Sequence, residues 1–116
     1  MENNLEKRTK DFSKDLIVLC RRIKINTLNS NIISQLLRSG TSVGANYHEA
    51  NAASSKNDFR NKIHICRKEI QETKYWLDLL GEASPEHKEM LNKICKEAHE
   101  LTLIFNKISH SISLKH

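Results

Sequence analysis

Apolar residues recur along this chain at alternating steps of three and four positions, in four separate stretches. The average step of 3.5 residues is typical of α-helices that pack side by side at about +20° with interlocking side chains. The four stripes are Leu5, Thr9, Phe12, Leu16, Leu19 and Ile23; Ile33, Leu36, Gly40, Val43, Tyr47 and Ala50; Phe59, Ile63, Cys66, Ile70, Thr73, Leu77 and Leu80; and Leu91, Ile94, Ala98, Leu101, Phe105, Ile108 and Ile112. The pattern predicts an all-α fold, a left-handed four-helix bundle.

The predicted helices are long and the connections between them are short. The stripes and the signals around them place the helices at roughly 4–24, 30–53, 56–80 and 85–112, with a frayed tail at 113–116. Short connections favour an antiparallel, up-down-up-down order. At about 1.5 Å per residue each helix is around 30–40 Å long. We therefore expect one elongated domain over residues 1–116.

Residues with capping chemistry mark the expected helix ends. Asn29 or the serine after it can cap the second helix, and Ser55 followed three residues later by Asp58 resembles a capping box for the third. Gly81 suits a left-handed position just beyond the third helix. The Ser84-Pro85-Glu86 sequence then supplies a cap, a first-turn proline and a favourable acid for the fourth.

Composition narrows the class of protein without indicating a reaction. A chain of 116 residues with only 3 Gly and 1 Pro has too few turn-forming residues for the many turns of a sandwich, a barrel or a doubly wound sheet. The 3 cysteines are an odd number and far apart, which favours a reducing cytoplasm over a disulfide framework. No apolar run approaches the 18 or so residues of a membrane span and the first residues are charged, so we expect neither a membrane span nor a secretory signal.

Residue patterns for catalysis and for cofactor binding are missing from the sequence. A di-iron bundle needs Glu-x-x-His on two helices, and this motif does not occur. Cys95 and His99 share a helix face, but two ligands do not complete a zinc site. There is no phosphate loop, dinucleotide fingerprint or nucleophile elbow. We therefore expect no enzymatic activity, no catalytic residues, no metal and no cofactor.

A polar stripe runs beside the apolar stripe of the second helix. It consists of Gln35, Arg38, Ser39, Ser42, Asn46 and Glu49. The third helix carries polar residues that we expect to lie opposite this stripe, namely Lys62, Glu69 and Glu72. A chain reversal near Ser54 predicts three facing pairs, Arg38 with Glu69, Asn46 with Lys62 and Glu49 with Arg60. These groups form either an interhelical network, with Gly40 and Gly44 allowing close backbone approach, or a subunit interface or ligand groove.

Basic residues gather in two places along the chain, although Lys plus Arg exceeds Asp plus Glu by only 5. The first basic cluster is Arg21, Arg22 and Lys24, and the second basic cluster is Lys56, Arg60, Lys62, Arg67 and Lys68. Each is either an ordinary solvated face or a contact surface for RNA or DNA. A ring of several subunits would multiply a weak patch into a strong polyvalent surface.

A resemblance to a known family lies in the second and third helices. Residues 35–50 read Gln-Leu-Leu-Arg-Ser-Gly-Thr-Ser-Val-Gly-Ala-Asn-Tyr-His-Glu-Ala, and Asp58-Phe59, Lys68-Glu69 and Glu72-Thr73-Lys74-Tyr75-Trp76-Leu77 follow. The pattern resembles the bacterial four-helix-bundle family, also called the 23S rRNA intervening-sequence protein family. That family is related to the accessory variability determinant proteins of diversity-generating retroelements.

The resemblance implies an assembly and partners. Family members form up-down bundles that assemble as homopentamers, and the retroelement members bind nucleic acid and act with a reverse transcriptase. The polar stripe of the second helix, with Glu69 and Glu72, matches the family's polar signature, and no catalytic residue is implied. We hypothesise a non-enzymatic oligomeric accessory protein that binds RNA or DNA. The alternative is a protein-interaction scaffold that presents apolar residues such as Trp76 and Leu79.

Overall fold

Four long helices make up almost all of the structure, a computed structural model that describes residues 4–114, with side chains through Ser113. They are α1 (Asn4–Arg22), α2 (Ser30–Asn51), α3 (Lys56–Ala83) and α4 (Lys88–Leu114), and one 3-10 turn, Pro85–His87, precedes α4. No strand occurs between residues 4 and 114. The predicted all-α fold class is confirmed.

The four helices are arranged around the axis of the bundle in the order in which they occur along the chain. α1 packs against α2 and α4, and α3 packs against the same two helices, so α1 lies diagonally opposite α3. Residue numbers rise along one helix as they fall along its neighbour, so adjacent helices are antiparallel. Examples are Glu6 with His48, Thr9 with Gly44, Leu16 with Gly40, Arg67 with Asn106 and Lys74 with His99. The molecule measures 46 × 26 × 21 Å and is elongated, as expected.

The apolar stripes predicted from the sequence form the core. Buried stripe residues from all four helices pack in one cluster, including Phe12, Leu36, Ile70 and Phe105. The stripe residues that are only partly buried are Leu5, Phe59, Ile108 and Ile112. All four lie at the end of the bundle where α1 and α3 begin and α4 ends, because no further layer of side chains covers that end.

The helix ends agree with the sequence only in part. The Ser55 hydroxyl accepts a hydrogen bond from the backbone N–H of Asp58 at 3.0 Å, which confirms the predicted cap of α3. The prediction for Gly81 is wrong: it lies inside α3, and no residue in the described chain has a positive φ. The helix continues to Ala83, and the N–H of Ser84 closes its last turn on the carbonyl of Leu80 at 2.8 Å.

Asn29 joins the two connections at one end of the bundle and makes no side-chain cap for α2. Its Oδ1 accepts from the N–H of Asn26 at 2.9 Å, and its Nδ2 donates to the carbonyl of Lys24 at 3.0 Å and to Ser84 Oγ at 3.3 Å. Both Asn29 and Ser84 are buried. Ser84 is correspondingly not a side-chain cap for the next turn.

The helix limits differ from the predicted ranges by a few residues. α1 and α2 each end two residues early, at Arg22 and Asn51, and α3 ends three residues late. Regular α4 begins at Lys88, after the 3-10 turn, and reaches Leu114. The predicted frayed tail at 113–116 therefore begins inside a helix, and its last two residues lie outside the described part of the chain.

Candidate functional site

A network of charged and polar side chains bridges α2 and α3 on the outside of the bundle. Arg38 Nη1 lies 2.9 Å from Glu69 Oε2, as predicted from the sequence, and Arg38 Nη2 pairs with Glu72. Arg38 Nε donates to Gln35 at 3.1 Å, and Trp76 Nε1 donates to Glu72 at 3.2 Å. The hydrogen bond from Arg38 holds the pKa of Glu72 below its ordinary value. This surface is the α2–α3 network.

Smaller polar groups lie beneath and beside the α2–α3 network. Thr73 Oγ1 is buried 3.0 Å from Ser39 Oγ and 2.7 Å from the carbonyl of Glu69. Asn46 turns back along α2, and its Nδ2 lies 2.9 Å from both the carbonyl and the hydroxyl of Ser42. The residues that match the family's polar signature therefore contact one another within the chain, both along α2 and between α2 and α3.

One of the predicted facing pairs is wrong. Lys62 Nζ lies 3.1 Å from Glu49 Oε2, so Lys62 rather than Arg60 faces Glu49. The Asn46 amide donates to Ser42, one helical turn away on α2. Side chains two residues apart on an α-helix point in directions about 200° apart around the helix axis. Lys62 therefore points toward α2, whereas Arg60 points toward the opposite side of α3.

The cysteines are free thiols with the properties of small apolar side chains. Burial raises the pKa of Cys66 to about 12 and that of Cys20 to about 11. Burial, with a contribution from Asp78, also raises the pKa of Cys95. A thiol is nucleophilic only as the thiolate, so none of the three is activated for catalysis. Within residues 4–114, no three His, Cys, Asp or Glu side chains are grouped closely enough to hold a metal ion.

Several basic side chains are neutralised within the chain. Arg8 Nη2 lies 2.6 Å from Glu97 and 3.3 Å from Glu100, joining α1 to α4. Lys7 pairs with Asp11 at 2.7 Å, and Arg38 and Lys62 are paired as described above. A basic residue that is already paired must lose its partner before it can contact an anionic ligand. The other members of the two basic clusters are therefore the candidates for binding.

The first basic cluster lies at the end of α1, close to acidic residues. Arg21, Arg22 and Lys24 are exposed. Arg22 lines a shallow cleft that also contains His87, Met90, Lys93 and the acids Glu86 and Glu89. The two carboxylates reduce the positive potential of this surface.

The second basic cluster is divided among different faces of α3. Arg60 and Arg67 are seven residues apart, so they lie on the same side of the helix, and Arg67 Nε donates to Asn106 of α4 at 2.8 Å. Lys74 is a further seven residues along, and its Nζ lies 3.5 Å from His99 Nδ1. We call Arg60, Arg67 and Lys74 the α3–α4 cation row. Lys56 and Lys68 are exposed, and Lys62 faces α2.

The α3–α4 cation row differs from the other basic residues in its partners. No carboxylate in the described chain forms a salt bridge with any of its three members. Arg60 Nη1 lies 3.4 Å from Asn57 Oδ1, and Arg60 Nη2 is buried with no hydrogen-bond partner. The partners that do exist are neutral amides and a histidine ring nitrogen. Among the described residues, no ion pair therefore offsets the positive charge of the row.

Sequence reasoning did not connect Lys74, His99 and Asn106 with the second basic cluster. The signal that could have found them is the recurrence of a cation at every seventh position, 60, 67 and 74, beside polar residues at 99 and 106. Grouping basic residues by their closeness along the chain joins side chains that point in different directions. The relevant spacing is seven residues, because side chains seven positions apart lie on the same face of a packed helix.

The fold and these surfaces define an elongated four-helix-bundle protein with a satisfied polar network on one side of α3 and an uncompensated cation row on the other. No helix in the described chain is long and apolar enough to cross a membrane. The family model described as 23S rRNA-intervening sequence protein matches residues 1–107. The chain belongs to that family, which confirms the resemblance carried by the second and third helices.

A solved structure supports the same assignment. A crystal structure of a protein with unknown function from the S23 ribosomal protein family, from Bacteroides thetaiotaomicron, is 32% identical in sequence. The match covers 90% of this chain and 96% of that chain, with a TM-score of 0.76. No curated protein matches the chain.

Proposed function

We propose that this chain is a non-enzymatic, oligomeric accessory protein that binds RNA or DNA. The observation that carries the proposal is the α3–α4 cation row, where Arg60, Arg67 and Lys74 have no carboxylate partner. Membership in the intervening-sequence family supports a role connected with RNA. The raised thiol pKa values of Cys20 and Cys66 oppose a role in nucleophilic catalysis.

Unpaired cations bind nucleic acid through a defined physical effect. Each lysine or arginine that neutralises a phosphate releases condensed counterions, and the affinity then falls steeply with salt. Cations that are already paired, such as Arg8 and Arg38, contribute much less because a protein carboxylate competes with the phosphate. Four of the acids that lower the net charge to +5, Glu69, Glu72, Glu97 and Glu100, are paired with Arg38 and Arg8 and not with the row.

Titration of labelled RNA and DNA tests the proposal directly. The affinity is expected to fall along a straight line in log–log form as salt rises from roughly 50 to 200 mM, with a slope of about −0.7 to −0.9 per phosphate contact. No detectable complex at low salt with micromolar protein would contradict the proposed function. An affinity that does not change with salt concentration would also contradict it.

We also propose that the bundle forms a homopentamer, which the family resemblance implies. The α2–α3 side of the molecule suits a subunit contact, because Ile65 is exposed and Trp76 is only partly buried beside the α2–α3 network. Aromatic and apolar anchors of this kind are typical of interfaces. Light scattering should give a mass near five chains of 13.4 kDa. A monomer at high protein concentration would contradict this expectation.

A protein-interaction scaffold is the second candidate function, and two exposed apolar residues favour it. Ile25 and Leu28, in the connection between α1 and α2, are 62% and 73% exposed. They lie beside the first basic cluster and offer a contact for a protein such as a reverse transcriptase. In pull-downs with nuclease present, capture of that enzyme should survive for the unmodified chain and be lost with Ile25→Asn/Leu28→Asn. Capture that depends wholly on nucleic acid would favour the first function.

A further inference from the structure

We propose that the α3–α4 cation row holds the sugar-phosphate backbone of a single-stranded nucleic acid. This inference rests on the proposed function, and it adds the place on the molecule and the kind of strand. It is carried by the spacing of the cations, by their neutral partners and by the exposed side chain beside them.

The spacing makes the row straight and long. Seven residues of α-helix span about 10.5 Å, so Arg60 to Lys74 covers about 21 Å along α3. Asn106 lies beside Arg67, and His99 lies beside Lys74, so the antiparallel helix α4 forms the second wall of a shallow seam. An extended strand laid in this seam would meet the three cations in succession.

The neutral partners position the cations and leave their charge available. Asn106 accepts from Arg67 Nε alone, and a guanidinium has four further N–H donors. The orientation of Arg67 is therefore restrained before a ligand arrives, which reduces the entropy lost on binding. A phosphate can take the outer edge of the guanidinium through two parallel hydrogen bonds. A glutamate in place of Asn106 would have neutralised that edge.

An acidic residue of the described chain approaches the seam at the Lys74 end. Asp78 lies one helical turn beyond Lys74 and close to Cys95, whose pKa it helps to raise. The first basic cluster, in contrast, shares its cleft with Glu86 and Glu89. Complementarity to a polyanion is therefore greater along the row than at the end of α1.

The length of the row favours a single strand over a duplex. One turn of B-form DNA rises about 34 Å, so about 21 Å corresponds to more than half a turn. Over that length, each strand of a duplex winds round to the far side of the helix axis. Its phosphates therefore no longer lie against a straight row of cations. A single strand has no such constraint and can extend along the seam.

An exposed apolar side chain beside the row suits unpaired bases. Leu103 is 55% exposed, on α4 between His99 and Asn106. Tyr75 is 58% exposed, but its ring packs edge-on against Trp76, on the side of α3 that carries the α2–α3 network, so Tyr75 is not part of the seam. Every base has a flat face, which a single strand leaves free for such a contact.

A pair of variants with equal charge tests the location. The row variant is Arg60→Gln/Arg67→Gln/Lys74→Gln, and the control is Arg21→Gln/Arg22→Gln/Lys24→Gln, in which the first basic cluster loses the same charge. The ligands are an unstructured RNA of about 20 nucleotides, the DNA strand of the same sequence, and that DNA as a duplex. The RNA and DNA strands distinguish the two sources of a phosphodiester backbone.

The row variant is expected to lose about tenfold or more in affinity for the single strands, and its log–log salt slope should become shallower by about 2. The control should lose less than about threefold. The unmodified protein should bind the single strands about tenfold more tightly than the duplex. Because Arg60 is partly buried, Arg67→Gln/Lys74→Gln is measured as well, with thermal unfolding as the check on folding.

The outcomes separate this inference from the proposed function. Equal losses in the row variant and the control would overturn the inference but leave nucleic-acid binding in place. Tighter binding of the duplex would overturn the single-strand assignment in the same way. Binding of none of the three ligands by the unmodified protein would remove the proposed function, and the inference with it.

Discussion

Gly40→Leu is expected to lower the free energy of unfolding by about 3 kcal/mol or more. A Cβ atom at this position would overlap Leu16 Cδ1, and Thr73 Cγ2 would lie 3.6 Å away. Leu16 is fully buried in the core, so the larger side chain of a leucine at position 40 has to displace packed core atoms. Close approach of α1 and α2 therefore requires a residue without a side chain. Urea denaturation, with comparison of midpoints and m-values, measures the effect.

Gly81→Ala is the matched control for Gly40→Leu. Gly81 is also helical, but nothing lies within 4 Å of a Cβ at this position. The substitution should stabilise the protein by up to about 1 kcal/mol, because alanine is the better helix former. If Gly40→Leu unfolds at the same urea concentration as the unmodified protein, the close α1–α2 packing described above is wrong.

Arg38→Met is expected to destabilise the protein by about 2 kcal/mol, because it removes the cation from the α2–α3 network. The Glu69 side chain is only 8% exposed and would lose its charged partner, and Glu72 would lose the same partner. The Arg38 side chain is itself 48% exposed, so the effect is smaller than for a fully buried pair. Arg21→Met, an exposed residue at the end of α1, is the control and should change stability by less than about 0.5 kcal/mol.

A double-mutant cycle with Glu69→Gln isolates the interaction between Arg38 and Glu69. Arg38→Met should cost less when residue 69 is already uncharged, and the coupling should be about 1 kcal/mol or more. Strictly additive effects of the two substitutions would contradict an energetic interaction across the two helices.

The effect of Arg38→Met should also depend on pH. Hydrogen bonding from Arg38 lowers the pKa of Glu72 from its ordinary value of 4.5. A carboxyl whose pKa is lower when folded stabilises the protein above its unfolded pKa, and this contribution disappears as the pH falls through its folded pKa. The difference in stability between the unmodified protein and Arg38→Met should therefore shrink below pH 4.5. A constant difference would contradict this mechanism.

The core was predictable because its pattern is local. Whether a side chain such as Leu16, Leu36 or Ile70 is buried depends on the face of its own helix, and the spacing of apolar residues along the chain specifies that face. The cap at Ser55 was predictable for the same reason, since it involves residues three positions apart.

The helix ends were less predictable where tertiary contacts compete with local ones. Asn29 has the chemistry of a cap, but its amide bonds the Lys24 carbonyl and Ser84, a residue far along the chain. Gly81 has the chemistry of a helix stop, but the chain around it stays helical until Ala83. Asn29 is thus used for a contact between two connections, whereas Gly81 is an ordinary helical position with open space around it.

The sequence by itself determined four amphipathic helices, one core and the contact between Arg38 and Glu69. Only the tertiary structure decided which cations stay unpaired, because that depends on which face of α3 meets α4. Lys62 and Arg60 are neighbours in sequence, yet one pairs with Glu49 and the other lies on the row with Arg67. Charge is a property of each residue, but its compensation is a property of distances between helices.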